Sequence, residues 1–200
     1  CFLCYNWTIA PTRLNTKLDD SSNSDNMKVS GGPTQDEVMA ISLFKLALRE
    51  GDIMADVGCG TGKVSIEASR ACARVYAIDV RDEAIAATAH NVAENNAHKV
   101  QVLKGSAKEV LPELGRLNGA FVGGSQELEE VLRILTGQVT GRIVVNAVLL
   151  RTLQRAVSTM QELGIFEEVV QVSISRSYSL ADSFLFRPID PVYIIVGRCK

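Results

Sequence analysis

The chain reads as an α/β protein, a doubly wound and mostly parallel seven-stranded sheet closed by a terminal antiparallel strand. Three observations predict it. Short apolar segments near 53–56, 75–79, 100–103, 120–122 and 142–146 alternate with helix-length stretches, and that alternation builds a parallel sheet covered by helices on both faces. A glycine-rich run, Asp56-Val57-Gly58-Cys59-Gly60-Thr61-Gly62, stands between the first of these segments and a helix-length stretch. Finally, Val169–Ser175 and Val192–Gly197 are two strand-like segments joined by a loop without helical patterning, so their pairing is expected to be antiparallel.

Composition sets the outer bounds. Two hundred residues suit one domain, expected over 28–200, and 46% hydrophobic with 22% charged residues are globular values. Net charge is −2 with Lys and Arg dispersed, so no footprint for nucleic acid is expected. No apolar run reaches about 18 residues, so no membrane partner is expected. Five scattered cysteines (Cys1, Cys4, Cys59, Cys72, Cys199) suit a reducing, cytoplasmic setting. Cys1-x-x-Cys4 has no second pair, and the only histidines are His90 and His98, so no metal site is expected. Residues 1–27 are polar and aperiodic and read as a flexible extension ahead of Met27.

The elements follow in order. Thr34 and Glu37 have capping-box spacing, T-x-x-E, ahead of an amphipathic helix running to about Arg49. Strand 53–56 leads into the glycine run, and a helix is expected over Lys63–Ala73. A turn without Cβ atoms lets backbone approach a ligand, and the following helix aims free N–H groups at it. The glycines alternate at 58, 60 and 62, unlike the G-x-G-x-x-G of dinucleotide sites. Strand 74–79 ends in Asp79, 17 positions after Gly62, where nucleotide-binding βαβ units place a ribose-binding acid. The third strand runs into the small-residue turn Gly105-Ser106-Ala107, and the fourth into Gly123-Gly124-Ser125. Ser125 is a candidate N-cap there, and the glycine pair would also leave room for a bulky reactant.

The alternating glycines entered by an acid resemble motif I of the class I S-adenosylmethionine (SAM) methyltransferases. That resemblance implies SAM as cofactor. The backbone of Gly58, Cys59, Gly60, Thr61 and Gly62 would line its amino-acid portion, Asp79 would hold the ribose diol, and the Ala107 amide would face the adenine. Thr34 would cap the first helix and touch the cofactor. The fourth strand lacks the Asp/Asn-Pro-Pro-aromatic run of amino-group methylating enzymes, and no proline precedes a cysteine as in pyrimidine carbon-5 enzymes.

Gly31-Gly32-Pro33-Thr34, Tyr76-Ala77-Ile78-Asp79, Phe121-Val122-Gly123-Gly124 and Val144-Val145-Asn146-Ala147-Val148, with motif I, together resemble the decarboxylating precorrin methyltransferases of cobalamin biosynthesis, the CbiT family, over about residues 30–198. The resemblance implies methylation of carbon 15 of cobalt-precorrin-6B, loss of carbon dioxide from the acetate on carbon 12, and a homotetramer. Gly123, Gly124, Asn146 and Arg176 are the substrate-side candidates, with Arg151 and Arg187 as further cations for a polycarboxylate. Leu150-Arg151 stands where the family often carries an acid. No catalytic acid or base stands out. Two other readings remain at this level: an RNA methyltransferase of similar fold, and a SAM-binding protein without catalysis.

Overall fold

The computed structural model describes residues 34–124 and 126–199. The extension 1–27, Gly31–Pro33 and Ser125 lie outside them.

Seven strands form one sheet: β1 (Ile53–Val57), β2 (Arg74–Asp79), β3 (Val100–Lys104), β4 (Leu117–Val122), β5 (Val139–Ala147), β6 (Phe166–Leu180) and β7 (Ser183–Arg198). Their order is β3-β2-β1-β4-β5-β7-β6. The first five pair in parallel, and β7 lies antiparallel between β5 and β6. Helices α1 (Asp36–Leu46), α2 (Lys63–Ala68), α3 (Asp82–Glu94), α4 (Ala107–Val110), α5 (Leu128–Gln138) and α6 (Leu150–Glu162) connect or cover the strands.

Successive side chains of a strand point to opposite faces, and the core divides accordingly. Ala55, Val57, Ile143, Val145 and Ile195 pack with Leu128, Val131, Leu132 and Leu135 of α5 and with Ala156 and Met160 of α6. The residues between them, Met54, Val144, Ile194 and Val196, pack with Val38, Met39 and Leu46 of α1 and with Val64, Ile66 and Ala68 of α2. The strand order reverses between β1 and β4, and α2 and α5, which follow those strands, lie on opposite faces. In open α/β sheets such a switch point leaves a crevice beyond the strands' carboxyl ends.

Several expectations are corrected. The N-cap of α1 is Gln35, with no side-chain cap, so Thr34 stands one residue too early to close the capping box. The helix stops at Leu46 because Ala47 turns left-handed, φ 52°. Helix α2 ends at Ala68, where the Ser69 hydroxyl donates back to the Ile66 carbonyl at 2.7 Å. The N-cap of α5 is Glu127, again without a side-chain cap.

The largest difference is at the end of the chain. The expected loop between the last two strands is itself strand, and Ala181-Asp182 forms a two-residue turn closed by the Leu180–Ser183 pair. Pro188 and Pro191 fall inside β7. In the structure β5 pairs with β7 only from Tyr193 onward, so the earlier part of β7 has β6 on one side alone and a missing N–H costs nothing on the other. Pro191 sits at a register shift, since Val172 pairs with Val192 but Ile174 with Ile189.

Gly141 of β5 is fixed by a close approach of backbones: a Cβ there would lie 2.2 Å from the Asn118 carbonyl oxygen. Gly141→Ala is therefore expected to destabilise the fold by about 1–3 kcal/mol. Gly137→Ala, in α5 with nothing within 4 Å, should be neutral or stabilising. Urea midpoints of the two variants test the contrast.

Candidate active site

The carboxyl ends of β1 to β5 converge on one edge of the sheet. There Gly58 (φ 77°) and Gly62 (φ 75°) make left-handed turns, and both are crowded. A Cβ on Gly58 would meet the Gly124 amide nitrogen at 3.0 Å, and one on Gly62 would meet Thr88 Cγ2 at 2.6 Å. Gly60 differs, because a Cβ there would enter open space. It is the position at which the turn can be approached.

The turn's amides point inward. Gly58 and Cys59 N–H both donate to the Ile78 carbonyl (2.8 and 3.0 Å), and Gly62 N–H donates to the Cys59 carbonyl at 2.8 Å. Gly60 N–H donates to Asp79 Oδ2 at 3.1 Å. These four amides are committed within the protein. The Gly60 and Thr61 carbonyls are held by the Thr88 hydroxyl (3.0 Å) and by Asn91 Nδ2 (2.9 Å) of α3. A phosphate cradle needs outward N–H groups; this turn instead offers glycine backbone beside carboxylates, which suits a cationic ligand. Cys59 is buried, and burial with the nearby Asp56 charge pushes its thiol up to about 12, so it is inert.

Two carboxylates flank the turn. Asp56 is buried, with Oδ2 accepting from Ser65 Oγ at 2.5 Å and Oδ1 unpartnered. Burial pushes it up to about 7 against the Ser65 donors, and the neighbouring Asp79 charge adds to the rise. Asp79 ends β2 at 5% exposure. Burial alone would raise its pKa, but donors from Arg81 and Gly60 outweigh that and hold it below the ordinary value. Arg81 forks onto it, Nε to Oδ1 at 3.0 Å and Nη2 to Oδ2 at 2.9 Å, while its backbone N–H donates to Oδ1 at 3.1 Å. Beside it Val80 is 48% exposed, an apolar surface next to an acid.

The other expected residues are distributed around this edge. Ala107 opens α4, whose N-cap Ser106 accepts from Lys108 N–H. Thr34 is tied to motif I through its carbonyl, which accepts from Lys63 Nζ at 3.2 Å; Lys63 also pairs with Asp36. Gly123 N–H donates to the Val57 carbonyl at 2.8 Å, and a Cβ on Gly123 would press on the Gly58 carbonyl at 3.3 Å. The glycine at 123 thus seats motif I as well as opening the fourth strand's end. Asn146 faces Ser42 Oγ at 3.0 Å through one side of its amide, and the other side is buried without a partner. Of the arginines, Arg176 pairs with Glu37 at 2.8 Å, Arg187 lies over the Tyr178 ring at 4.7 Å on the terminal hairpin, and Arg151 is exposed in the first turn of α6. Sequence reasoning missed Arg81, Lys63 and Val80; each is a neighbour of a motif residue, the only signal present.

Comparison with known proteins decides the family. A model of the precorrin methyltransferase domain matches residues 25–197. The chain belongs to the precorrin methyltransferase family. It is a methyltransferase. A Methanosarcina acetivorans protein named "Probable cobalt-precorrin-6B C(15)-methyltransferase (decarboxylating)" is 47% identical over 180 residues, 88% of this chain and 98% of that protein. A crystal structure of precorrin-8W decarboxylase from Methanobacterium thermoautotrophicum is 35% identical with TM-score 0.80, covering 83% of this chain and 91% of that one. Precorrin-6Y C5,15-methyltransferase from Geobacter metallireducens is 32% identical with TM-score 0.80, covering 84% and 92%.

The Asp56 carboxyl yields a test of the site's electrostatics. Its folded pKa of about 7 lies above its unfolded value of 3.8. Between those values the folded state binds more protons, so this group's stabilisation is complete below pH 3.8 and lost as pH rises toward 7. The melting temperature of Asp56→Asn minus that of the parent should therefore climb from pH 4 to 7 and then level off. A pH-independent difference would show that Asp56 titrates normally.

Proposed function

We propose that this methyltransferase uses SAM to methylate carbon 15 of a corrin precursor of the cobalt-precorrin-6B type, with loss of carbon dioxide from the carbon-12 acetate. The observation that carries the reading is the inward-bonded glycine turn set beside Asp79 at the β1/β4 switch point. SAM supplies an electrophilic methyl on a cationic sulfonium, and a carboxylate-lined turn suits that charge. Gly60 has room for the cofactor's amino-acid portion beside it, with Gly58, Cys59, Thr61 and Gly62 shaping the turn. Asp79 receives the ribose diol, Val80 offers an apolar contact to the adenine, and the Ala107 amide lies at its edge. Thr34, held to Lys63, closes the cofactor side.

The protein's contribution is to hold the acceptor carbon in line with the methyl, an orientation worth up to about 7–11 kcal/mol. The tetrapyrrole π system gives an electron pair to the incoming methyl. The pair from the breaking bond between the acetate methylene and its carboxylate returns to that system as carbon dioxide leaves. One positive charge enters and one carboxylate is lost, so no net proton is drawn from the protein, in keeping with a site built without an evident acid or base. The buried free side of the Asn146 amide, the opening at Gly123-Gly124, and Arg176 provide for the acceptor and its carboxylates; a substrate carboxylate at Arg176 competes with Glu37.

Self-association completes the proposal. Beyond Ile174 the terminal hairpin is exposed on both faces, yet it carries Tyr178, Leu180, Phe184, Leu185 and Phe186. A lone two-stranded ribbon is marginal in water, and β6 is a sheet edge. A second copy of the same ribbon would cover both, giving a closed homo-oligomer, a tetramer by family resemblance. A cytoplasmic setting fits the proposal; no helix among the described residues is long and apolar enough to cross a membrane.

Purified protein with SAM and cobalt-precorrin-6B is expected to yield a product with one methyl gained and one carboxyl lost by mass spectrometry. Methyl transfer to tRNA with the tetrapyrrole unchanged would favour an RNA enzyme instead. Asp79→Ala should weaken SAM binding about tenfold to a hundredfold in calorimetry, from loss of about 1.5–3 kcal/mol of charge-assisted bonding. Phe184→Ser with Phe186→Ser should shift the protein to a smaller species in sedimentation; an unchanged assembly would place the interface elsewhere.

A further inference from the structure

We propose that the Arg81 side chain occupies the ribose position at Asp79 and must be displaced by the cofactor, so that Arg81 sets the affinity for SAM and for its demethylated product alike. The inference rests on the SAM reading above, and follows from counting acceptor positions. An ionised carboxylate has about four lone-pair sites, two on each oxygen. At Asp79 all four are engaged: Oδ1 by Arg81 N–H and Arg81 Nε, Oδ2 by Gly60 N–H and Arg81 Nη2. A vicinal diol needs one free site on each oxygen.

The four donors are not equivalent. Gly60 N–H belongs to the turn that hangs from Ile78, and Arg81 N–H to the start of α3, for which Arg81 is the N-cap. Neither can leave without unmaking a turn or a helix end. The guanidinium fork is carried on a flexible side chain that is 31% exposed, against 3% for the Asp79 side chain. Removing the fork alone frees one site on Oδ1 and one on Oδ2. Its two parallel N–H groups present to Asp79 the pair of donors that two ribose hydroxyls would present. Within electrostatic reach, Glu83 of α3 also favours the Arg81 cation.

A residue that only steadied Asp79 would act in the opposite direction: its loss would weaken the cofactor. Calorimetric titrations of the full chain with SAM and with S-adenosylhomocysteine separate the two. Arg81→Met keeps the backbone donor and the side-chain length while deleting the fork. It should tighten both ligands by about the same factor, on the order of tenfold for a displaced charge-assisted contact. Arg81→Lys, with one donor nitrogen where the fork presents two, should fall between. On an Asp79→Asn background Arg81→Met should have no effect. The gain should also be smaller for 2′-deoxyadenosine than for adenosine, since the deoxy ligand cannot use both freed sites. Unchanged or weaker SAM binding by Arg81→Met, with parent SAM binding intact and melting temperatures alike, overturns the inference alone. Failure of both parent and variant to bind SAM overturns the cofactor reading and this inference with it.

Discussion

The Ile78 carbonyl accepts two amides of the motif I turn, and the next residue's carboxylate accepts a third. Gly58, Cys59 and Gly60 are thereby suspended from the end of β2, and the remaining geometry depends on that suspension. The turn cannot adopt its left-handed corners with side chains at Gly58 or Gly62, because Gly124 and Thr88 already lie against those positions. Once it hangs there, its open side is the Gly60 side, which is where Asp79 stands. The turn's open face is thus a by-product of how it is anchored: donors turned inward and the Gly60 Cα outward.

This anchoring also explains what the sequence conveys and what it conceals. The seven strands and an acid at the end of β2 follow from periodicity and from the spacing of Gly62 and Asp79, because each is encoded over a few adjacent residues. The direction of the turn's amides is not local. It depends on the Ile78 carbonyl, and a carbonyl carries no sequence signature. Arg81 looks like any surface arginine until the Asp79 oxygens are counted. Gly123 reads as an opening for substrate, but its second duty, lying against the Gly58 carbonyl, links turns far apart in the chain. The capping box failed by one residue, since Thr34 gives its carbonyl to Lys63 and the helix begins after Gln35.

The terminal hairpin obeys a different rule from the rest of the sheet. Ile194, Ile195 and Val196 are buried on both faces, and there β7 behaves as a central strand. Past Tyr193 toward the turn, the same strand has lost its β5 neighbour and its cover, yet it carries the consecutive apolar residues Phe184, Leu185 and Phe186. A monomer gains little from Phe184 stacked edge-on to Phe186 in solvent. The prolines at 188 and 191 are tolerated where the ladder is one-sided and bulged, so they mark where β7 leaves the monomer's core.

The two acids beside motif I show how one turn sets opposite electrostatic fates. Asp56 faces the α2 side of the sheet, where burial dominates and only Ser65 compensates, so its proton is held toward neutrality. Asp79 is almost as enclosed, but it stands at the strand's end where Gly60 and Arg81 converge, and remains charged. If both were ionised without compensation, their repulsion would act across the turn they share. Keeping one carboxyl close to neutral lets the other stay an acceptor, and Arg81 stabilises that acceptor in the absence of a ligand at the cost of filling it. If Asp79 holds the ribose as proposed, the compensation that makes it tolerable in the free protein also sets the threshold a cofactor must overcome to bind there.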